Sequence, residues 1–373
     1  MRKLSETASA NSKEGIYAGK RFIMSSQNTL TPELQQRIEM LQMNSEELGK
    51  LIQSEIEQKD YPGKGKKVGM IGVPLGFGAG QIGSELGITA IRLTKIRGKR
   101  LIEHIQELGY KTQDYGDVEI VKPIYFACPE DNPKYLPEMI KSSRKIADAI
   151  EKIFENNEFP VILSGDHSSA IGTFSGISSY FHQKREEIGL IWVDAHADLN
   201  TPETSPSGNL HGMPLAVLLG KGNQELVNLH GFAPKLSPKY LAHIGGRDFD
   251  AGEKKIIRGM NMREQFFTMS DIDRRGMQAC VEDAVKIASQ APAGFAVTFD
   301  VDILDPRFAP GSGTLVRGGV TYREAHLALE IIAELGKMRS FEVVEVNPLL
   351  NSGNVTVELA GELILSALGK TIL

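Results

Sequence analysis

The sequence predicts an α/β protein built on a parallel sheet covered on both faces by helices. Two observations carry this. Short apolar runs of strand length alternate with segments of helical spacing from Val68 to the C-terminus. Five of the strands then finish in polar clusters, at 165–168, 194–200, 248–253, 300–302 and 345–347. Open parallel sheets bind their ligands outside the carboxyl ends of the strands, so converging clusters point to one site.

The elements follow in order. Residues 1 to about 30 are polar and Ser/Asn-rich, which favours a loose arm. Thr31-Pro32-Glu33 reads as a helix start, with Thr31 as N-cap and Leu34, Ile38 and Leu41 on one apolar face. A second short helix follows Asn44 or Ser45, with Leu48, Leu51, Ile52 and Ile56 inward. Tyr61-Pro-Gly-Lys-Gly-Lys-Lys67 reads as a linker, so residues 1–65 form a partly helical extension and 66–373 the main domain. Packing of the extension on a neighbouring subunit or on its own domain is its plainest role. Val68–Pro74 is a buried strand, followed by a Gly-rich loop, Gly76–Gly83, whose spacing fits no nucleotide motif. A helix runs through Ala90, Ile91 and Leu101 toward Gly109, and another spans Lys134 to Asn156. Strands are expected at 159–163, up to Val193, and at 240–244, 265–268, 295–299 and 340–344. The later helices are 171–181, 277–288, 322–335 and 355–368.

Composition narrows the function. Hydrophobic content is 41% and charged content 24%, ordinary for a soluble globular chain. The net charge of -5 gives no basic field for nucleic acid. Two distant cysteines, Cys128 and Cys280, argue against a disulfide scaffold or a cysteine zinc site and suit a reducing, cytoplasmic compartment. No apolar run reaches the roughly 18 residues that span a bilayer. The basic start lacks an apolar signal core, and Glu6 and Glu14 weigh against a transit peptide.

The chemistry starts at Ile191-Trp-Val-Asp194-Ala-His196-Ala-Asp198-Leu-Asn200. A strand repeats every two residues, so Asp194, His196 and Asp198 are expected on one face. Asp300 and Asp302 repeat that spacing, and two adjacent carboxylates repel unless a cation neutralises them. With His167, six ligands are available, more than one ion readily uses if carboxylates bridge. Two ions about 3.5–4 Å apart use them all. An oxygen-rich set with two imidazoles and no thiolate favours Mn²⁺ over Zn²⁺. Single Asp residues more often cap turns, but two such motifs at strand ends outweigh that account. His104, His182, His230, His243 and His326 lack any motif and read as surface or packing residues.

Gly-Asp-His167-Ser, Asp194-Ala-His-Ala-Asp198, His211-Gly-Met-Pro and Phe-Asp300-Val-Asp-Ile-Leu-Asp-Pro306 resemble, in order, the motifs of the arginase/agmatinase (ureohydrolase) family. The resemblance runs from about Lys67 to the C-terminus. It implies a three-layer α/β/α sandwich around a parallel sheet of about eight strands. It implies that one Mn²⁺ takes His167, Asp194, Asp198 and Asp300, and the other Asp194, His196, Asp300 and Asp302. It implies hydrolysis of a guanidinium by a hydroxide bridging the ions, with Co²⁺ or Ni²⁺ as substitutes. Glu345 matches the residue that holds the guanidinium, His211 the proton shuttle, and Asp198 serves both metal and chemistry.

Within the family, Asn200 and Ser207-Gly-Asn209 resemble the arginase loop that meets the substrate α-carboxylate. Asp250 matches the residue near the α-amino group, in a segment running to Glu253 that also looks like arginase. Thr314 matches a residue near the guanidinium. Taken singly, Asn200, Ser207 and Asn209 are turn formers. L-arginine is therefore the expected substrate and L-ornithine and urea the products. The alternatives are another guanidino compound (agmatine, guanidinobutyrate or guanidine) or a catalytically silent regulatory member. A related zinc deacetylase would need a His-His pair, which the chain lacks. Family members are commonly trimers or hexamers, which implies a homo-oligomer with no nucleic-acid or membrane partner. Ser164 and Leu315 depart from the usual motif residues.

Overall fold

The computed structural model describes residues 67–124, 131–335, 337–351 and 353–372, all within one compact unit, Asp60–Leu373. The two short helices expected in 31–56 lie outside the described residues, as does Cys128.

Eight strands form one sheet: β1 (Lys67–Val73), β4 (Lys111–Asp117), β5 (Glu158–Ser164), β6 (Gly189–Val193), β7 (Leu241–Ile244), β8 (Phe266–Phe267), β9 (Phe295–Asp300) and β10 (Met338–Val344). Their order is β4-β1-β5-β10-β9-β6-β7-β8, and every pairing is parallel. A separate hairpin joins β2 (Lys95–Ile96) to β3 (Lys99–Arg100).

The layers follow from strand alternation. On β6, Ile191 and Val193 enter one apolar core, and Leu190 and Trp192 enter the other. The first core is closed by the helices Gly87–Leu93, Leu101–Glu107, Met277–Ala288, Tyr322–Glu334 and Val355–Ala367. The second is closed by Leu136–Glu155, Ala170–Gln183 and Pro214–Leu218. The expected three-layer α/β/α sandwich is the observed fold.

Three differences have physical reasons. The helix expected from Ala90 to Gly109 is two helices separated by the β2–β3 hairpin, whose turn uses left-handed backbone at Arg97 (φ 49°) and Gly98 (φ 87°). A glycine there removes the Cβ clash that the left-handed region imposes. β4 was missed because Lys-Thr-Gln-Asp-Tyr-Gly-Asp is a largely exposed edge strand with no buried residue. The helix Met269–Arg275 was also missed; a Thr268/Asp271 capping box starts it.

Candidate metal centre and substrate cleft

β6 ends at Val193, so Asp194, His196 and Asp198 do not lie along one strand face as the spacing predicted. They occupy the loop beyond it. Asp198 adopts left-handed backbone (φ 51°), and its carbonyl accepts from Leu215 N (3.0 Å) and Ala216 N (3.3 Å), which fixes this unfavourable turn. Asp300 is the last residue of β9, while Asp302 sits on the following 3-10 turn, Val301–Ile303. The six candidate residues thus converge through loop geometry.

All six predicted metal ligands meet. His167 Nδ1 lies 3.0 Å from Asp194 Oδ2, 3.2 Å from Asp198 Oδ2 and 3.3 Å from Asp300 Oδ2. His196 Nδ1 lies 3.4 Å from Asp194 Oδ1 and 3.1 Å from Asp302 Oδ2. Two ligand groups result, His167/Asp194/Asp198 and Asp194/His196/Asp302, sharing Asp194. The four aspartates and His167 are buried, and His196 is partly exposed. His167 Nδ1 and Asp198 Oδ2 are buried without a hydrogen-bond partner. Such groups are costly unless something else satisfies them, and cations do so for this donor set.

The electrostatics say the same. Burial, then the Asp194 charge, push the Asp198 carboxyl well above the usual range. Burial, then Asp302 and Asp194, do so for Asp300, and burial with Asp194 raises Asp302. Burial also opposes the Asp194 anion, but hydrogen bonds from His167 and His196 outweigh it and hold that carboxyl well below its ordinary value. Burial disfavours the His167 cation too, yet the facing carboxylates of Asp194, Asp300 and Asp198 carry it well above the ordinary histidine value. Without cations the cluster must retain protons.

Residues not singled out from sequence support these ligands. Thr298 Oγ1 lies 3.1 Å from His167 Nε2 and donates to Glu342 Oε2 (3.1 Å). Glu342 also accepts from Ser164 Oγ (2.7 Å), Ser169 Oγ (3.1 Å) and Thr173 Oγ1 (3.1 Å). The unusual Ser164 therefore supplies a donor to a buried carboxylate. Trp192 Nε1 donates to Asp194 Oδ2 (2.9 Å), and its ring stacks on His167 at 4.1 Å. Arg247 donates to the carbonyls of Asp302 (2.7 Å), Ile303 (3.1 Å) and Val316 (2.7 Å), clamping the Asp302 turn.

Beside the ligands lies a polar cleft of about 190 Å³. Its lining includes every residue expected at the substrate: Asn200, Ser207, Asn209, His211, Asp250, Glu253, Thr314 and Glu345. Glu345, just beyond β10, has left-handed backbone (φ 63°), fixed by Glu345 N donating to Gly165 O (2.7 Å). Its Oε1 accepts from His167 N (3.0 Å) and lies 3.3 Å from His211 Nδ1. Burial opposes the His211 cation, but the Glu345 hydrogen bond and charge raise it above its ordinary value. Burial and then Glu345 raise neighbouring Asp166 to about 7.

Asn200 Nδ2 donates to Asp250 Oδ2 (2.8 Å), and Asn209 Oδ1 accepts from Lys134 Nζ (3.0 Å). Ser207 Oγ accepts from Asn209 N (3.2 Å). Glu253 accepts from Leu199 N (3.0 Å) and Asp250 N (2.7 Å), which ties the 250–253 helix start to the metal loop. Thr314 Oγ1 donates to Asp302 Oδ2 (3.0 Å).

The Gly-rich loop braces this wall. Gly78 N donates to Asp166 Oδ2 (2.8 Å), and its carbonyl accepts from His211 N (3.1 Å). A Cβ at Gly78 would lie 2.2 Å from Ser168 Oγ, so only glycine fits. The five unassigned histidines stand apart from the ligand cluster. His243 is the informative one: it is fully buried, and its Nε2 lies 2.6 Å from the His196 carbonyl. Burial lowers it to about 4, so it is neutral and supports the loop.

Residues 66–369 match the family model described as the Arginase family. The chain belongs to the arginase family. An arginase from Bacillus subtilis is 43% identical over 308 residues, covering 83% of this chain and 99% of that protein. An arginase from Bacillus caldovelox is 40% identical over 309 residues, covering 83% of this chain and 100% of that protein. A crystal structure of the Bacillus subtilis arginase aligns with TM-score 0.74 and 42% identity, over 83% of this chain and 100% of that one. A crystal structure of Entamoeba histolytica arginase in complex with L-ornithine aligns with TM-score 0.72 and 28% identity, over 82% and 99%. The chain is thus a metal-dependent amidino hydrolase of the arginase type, and arginases carry a binuclear metal site. A second, shorter match covers residues 22–58, to the model described as the Sigma-54 factor, Activator interacting domain. No helix among the described residues is long and apolar enough to cross a membrane.

Proposed function

We propose that this arginase hydrolyses L-arginine to L-ornithine and urea at a dimanganese centre in a domain spanning 66–373. The observation that carries it is the buried His/Asp cluster opening onto a cleft lined by Asn200, Asp250 and Glu345. His167, Asp194, Asp198 and Asp300 would hold one ion, and Asp194, His196, Asp300 and Asp302 the other. When bound, the ions supply Lewis acidity and bring the ionisation of water to neutral pH. Manganese is favoured by the hard oxygen donors.

The chain's own residues do the rest. Glu345 holds the guanidinium through paired hydrogen bonds. Asn200, Ser207 and Asn209 meet the α-carboxylate, with Asp250 and Glu253 on the α-amino side and Thr314 near the guanidinium. His211, whose hold on a proton Glu345 strengthens, carries the proton toward the departing amine. A cytoplasmic homotrimer or hexamer is the expected state, with no nucleic-acid or membrane partner. Residues 22–58 are an activator-interacting segment within the extension 1–65, on the strength of their family match.

A urea-release assay with arginine, agmatine, guanidinobutyrate and guanidine, each with Mn²⁺, Co²⁺ and Ni²⁺, tests this. Arginine with Mn²⁺ is expected to lead, and absence of urea from arginine would overturn it. Asn200→Ala is expected to raise KM for arginine more than it lowers kcat, and to leave agmatine, which lacks the carboxylate, little changed. The reverse split would remove Asn200 from carboxylate binding. Thr298→Val keeps the side-chain shape but removes the partner of His167 Nε2. A loss of about 10–100-fold in metal affinity is expected by chelator competition; unchanged affinity would mean that Thr298 does not orient the ligand.

A further inference from the structure

Six carboxylates line the substrate cleft, those of Asp198, Asp248, Asp250, Glu253, Asp300 and Glu345, and none of the described residues lining it is a lysine or an arginine. The α-carboxylate of an amino-acid substrate must therefore be met by neutral donors, whose aim and strength decide how well it is held. Asn200 has little to spare. Its Nδ2 donates to Asp250 Oδ2 (2.8 Å) and its Oδ1 accepts from Thr204 Oγ1 (3.0 Å), which leaves one N–H.

Asn209 is placed differently. Lys134 Nζ donates to its Oδ1 at 3.0 Å. A lysine ammonium only donates, so it selects one orientation of the amide: Oδ1 toward Nζ, and both Nδ2 hydrogens away from it. Nδ2 lies beside the Gly-rich loop, where a Cβ on Gly80 would come within 2.9 Å of it. The cation also polarises the amide, which makes those N–H groups better donors. Lys134 itself does not line the cleft. Its backbone is fixed to the loop that carries Asn209: Lys134 N donates to Gly208 O (2.9 Å), and Asn132 Nδ2 donates to Pro202 O. On its other side Tyr135 packs edge-on against Phe77 of the Gly-rich loop, with ring centroids 5.7 Å apart. The segment 132–135 is thus held between the two loops that flank Asn209.

We propose that Lys134 is a positioning residue for the substrate α-carboxylate and acts through Asn209, locking its amide with both N–H groups toward the cleft and strengthening them. The proposal rests on the reading of Asn209 as a carboxylate contact.

Steady-state kinetics with arginine test it, on the full chain carrying Lys134→Met, Asn209→Ala or both. Methionine keeps most of the stem and removes the cation. Lys134→Met is expected to raise KM about tenfold and to leave kcat within about twofold, because a binding interaction is weakened and no chemical group is removed. Inhibition by L-ornithine should weaken by the same factor. Inhibition by 1,4-diaminobutane, the same skeleton without the carboxylate, should not change. In the Asn209→Ala background Lys134→Met should add nothing, as for two residues that act as one unit. An unchanged KM in Asn209→Ala would take Asn209 out of the carboxylate site and the proposal with it. A KM raised by Asn209→Ala but not by Lys134→Met would keep that reading and overturn the proposal alone. So would a Lys134→Met loss that falls on kcat, an equal weakening of 1,4-diaminobutane, or a full further loss in the double variant.

Discussion

Asp198→Asn is expected to cost this arginase at least ~100-fold in urea release and to lower its bound metal in parallel. The substitution keeps shape and removes charge. Asp198 Oδ2 is buried, lacks a hydrogen-bond partner and lies 3.2 Å from His167 Nδ1. An amide there is a far weaker cation ligand than a carboxylate, so metal is lost before any packing is. Elemental analysis after gel filtration measures this. Full metal occupancy with low activity would remove Asp198 from the ligand set.

Stability should move in the opposite direction in chelator. Burial raises the folded-state value of Asp198 well above its ordinary one. Between the unfolded value near 4 and that higher folded value, the native state holds more protons than the unfolded state. Metal-free stability therefore falls as pH rises through that window. The asparagine variant lacks this penalty, so chelated Asp198→Asn should melt at or above the parent at pH 7, with the gap closing toward pH 4. Added Mn²⁺ should reverse the order, because a ligand that binds the native state stabilises it more the tighter it binds, growing with the logarithm of affinity. Melting curves at both pH values, with and without metal, check the crossing. A variant less stable than the parent in chelator as well as in metal would mean that the carboxylate has a structural partner.

The six clustered carboxylates and imidazoles were legible because their identities are unusual at strand ends. Their geometry was not. Spacing of two suggested a shared strand face, but β6 stops at Val193, and the left-handed turn at Asp198 brings the third ligand round. Thr298 and Glu342 were read as strand interior, since an apolar run conceals a polar residue that faces a site. Glu342 did carry a signal: a carboxylate in a central strand must be satisfied by several donors, and four hydroxyls from three other segments provide them. Arg247 gave no signal, because its role is to hold backbone carbonyls that are distant in sequence. The edge strand β4 was hidden for the converse reason: its exposure removes the apolar pattern by which strands are recognised.

Glu345→Gln should separate substrate handling from metal binding. Glu345 is buried, and its Oε1 touches His167 N and His211 Nδ1. It contacts His167 through the backbone, not the ring nitrogen that faces the aspartates, so metal content should hold. The amide removes one acceptor and the charge that pairs with a guanidinium. Charge-assisted hydrogen bonds are worth about 1.5–3 kcal/mol each. Losing one of them and the charge assistance of the other is expected to lower kcat/KM for arginine by roughly 10²–10³-fold. His211 reports the same change independently. Glu345 is what raises it against burial, so in the variant burial prevails and the imidazole should lose its proton at lower pH. Asp166, raised to about 7 partly by the Glu345 charge, should likewise titrate lower. Imidazole nitrogen and carboxyl carbon NMR titrations read both groups. Activity within tenfold of the parent, or a His211 titration that does not move, would take Glu345 out of the guanidinium site and leave it as a prop for the His167 backbone alone.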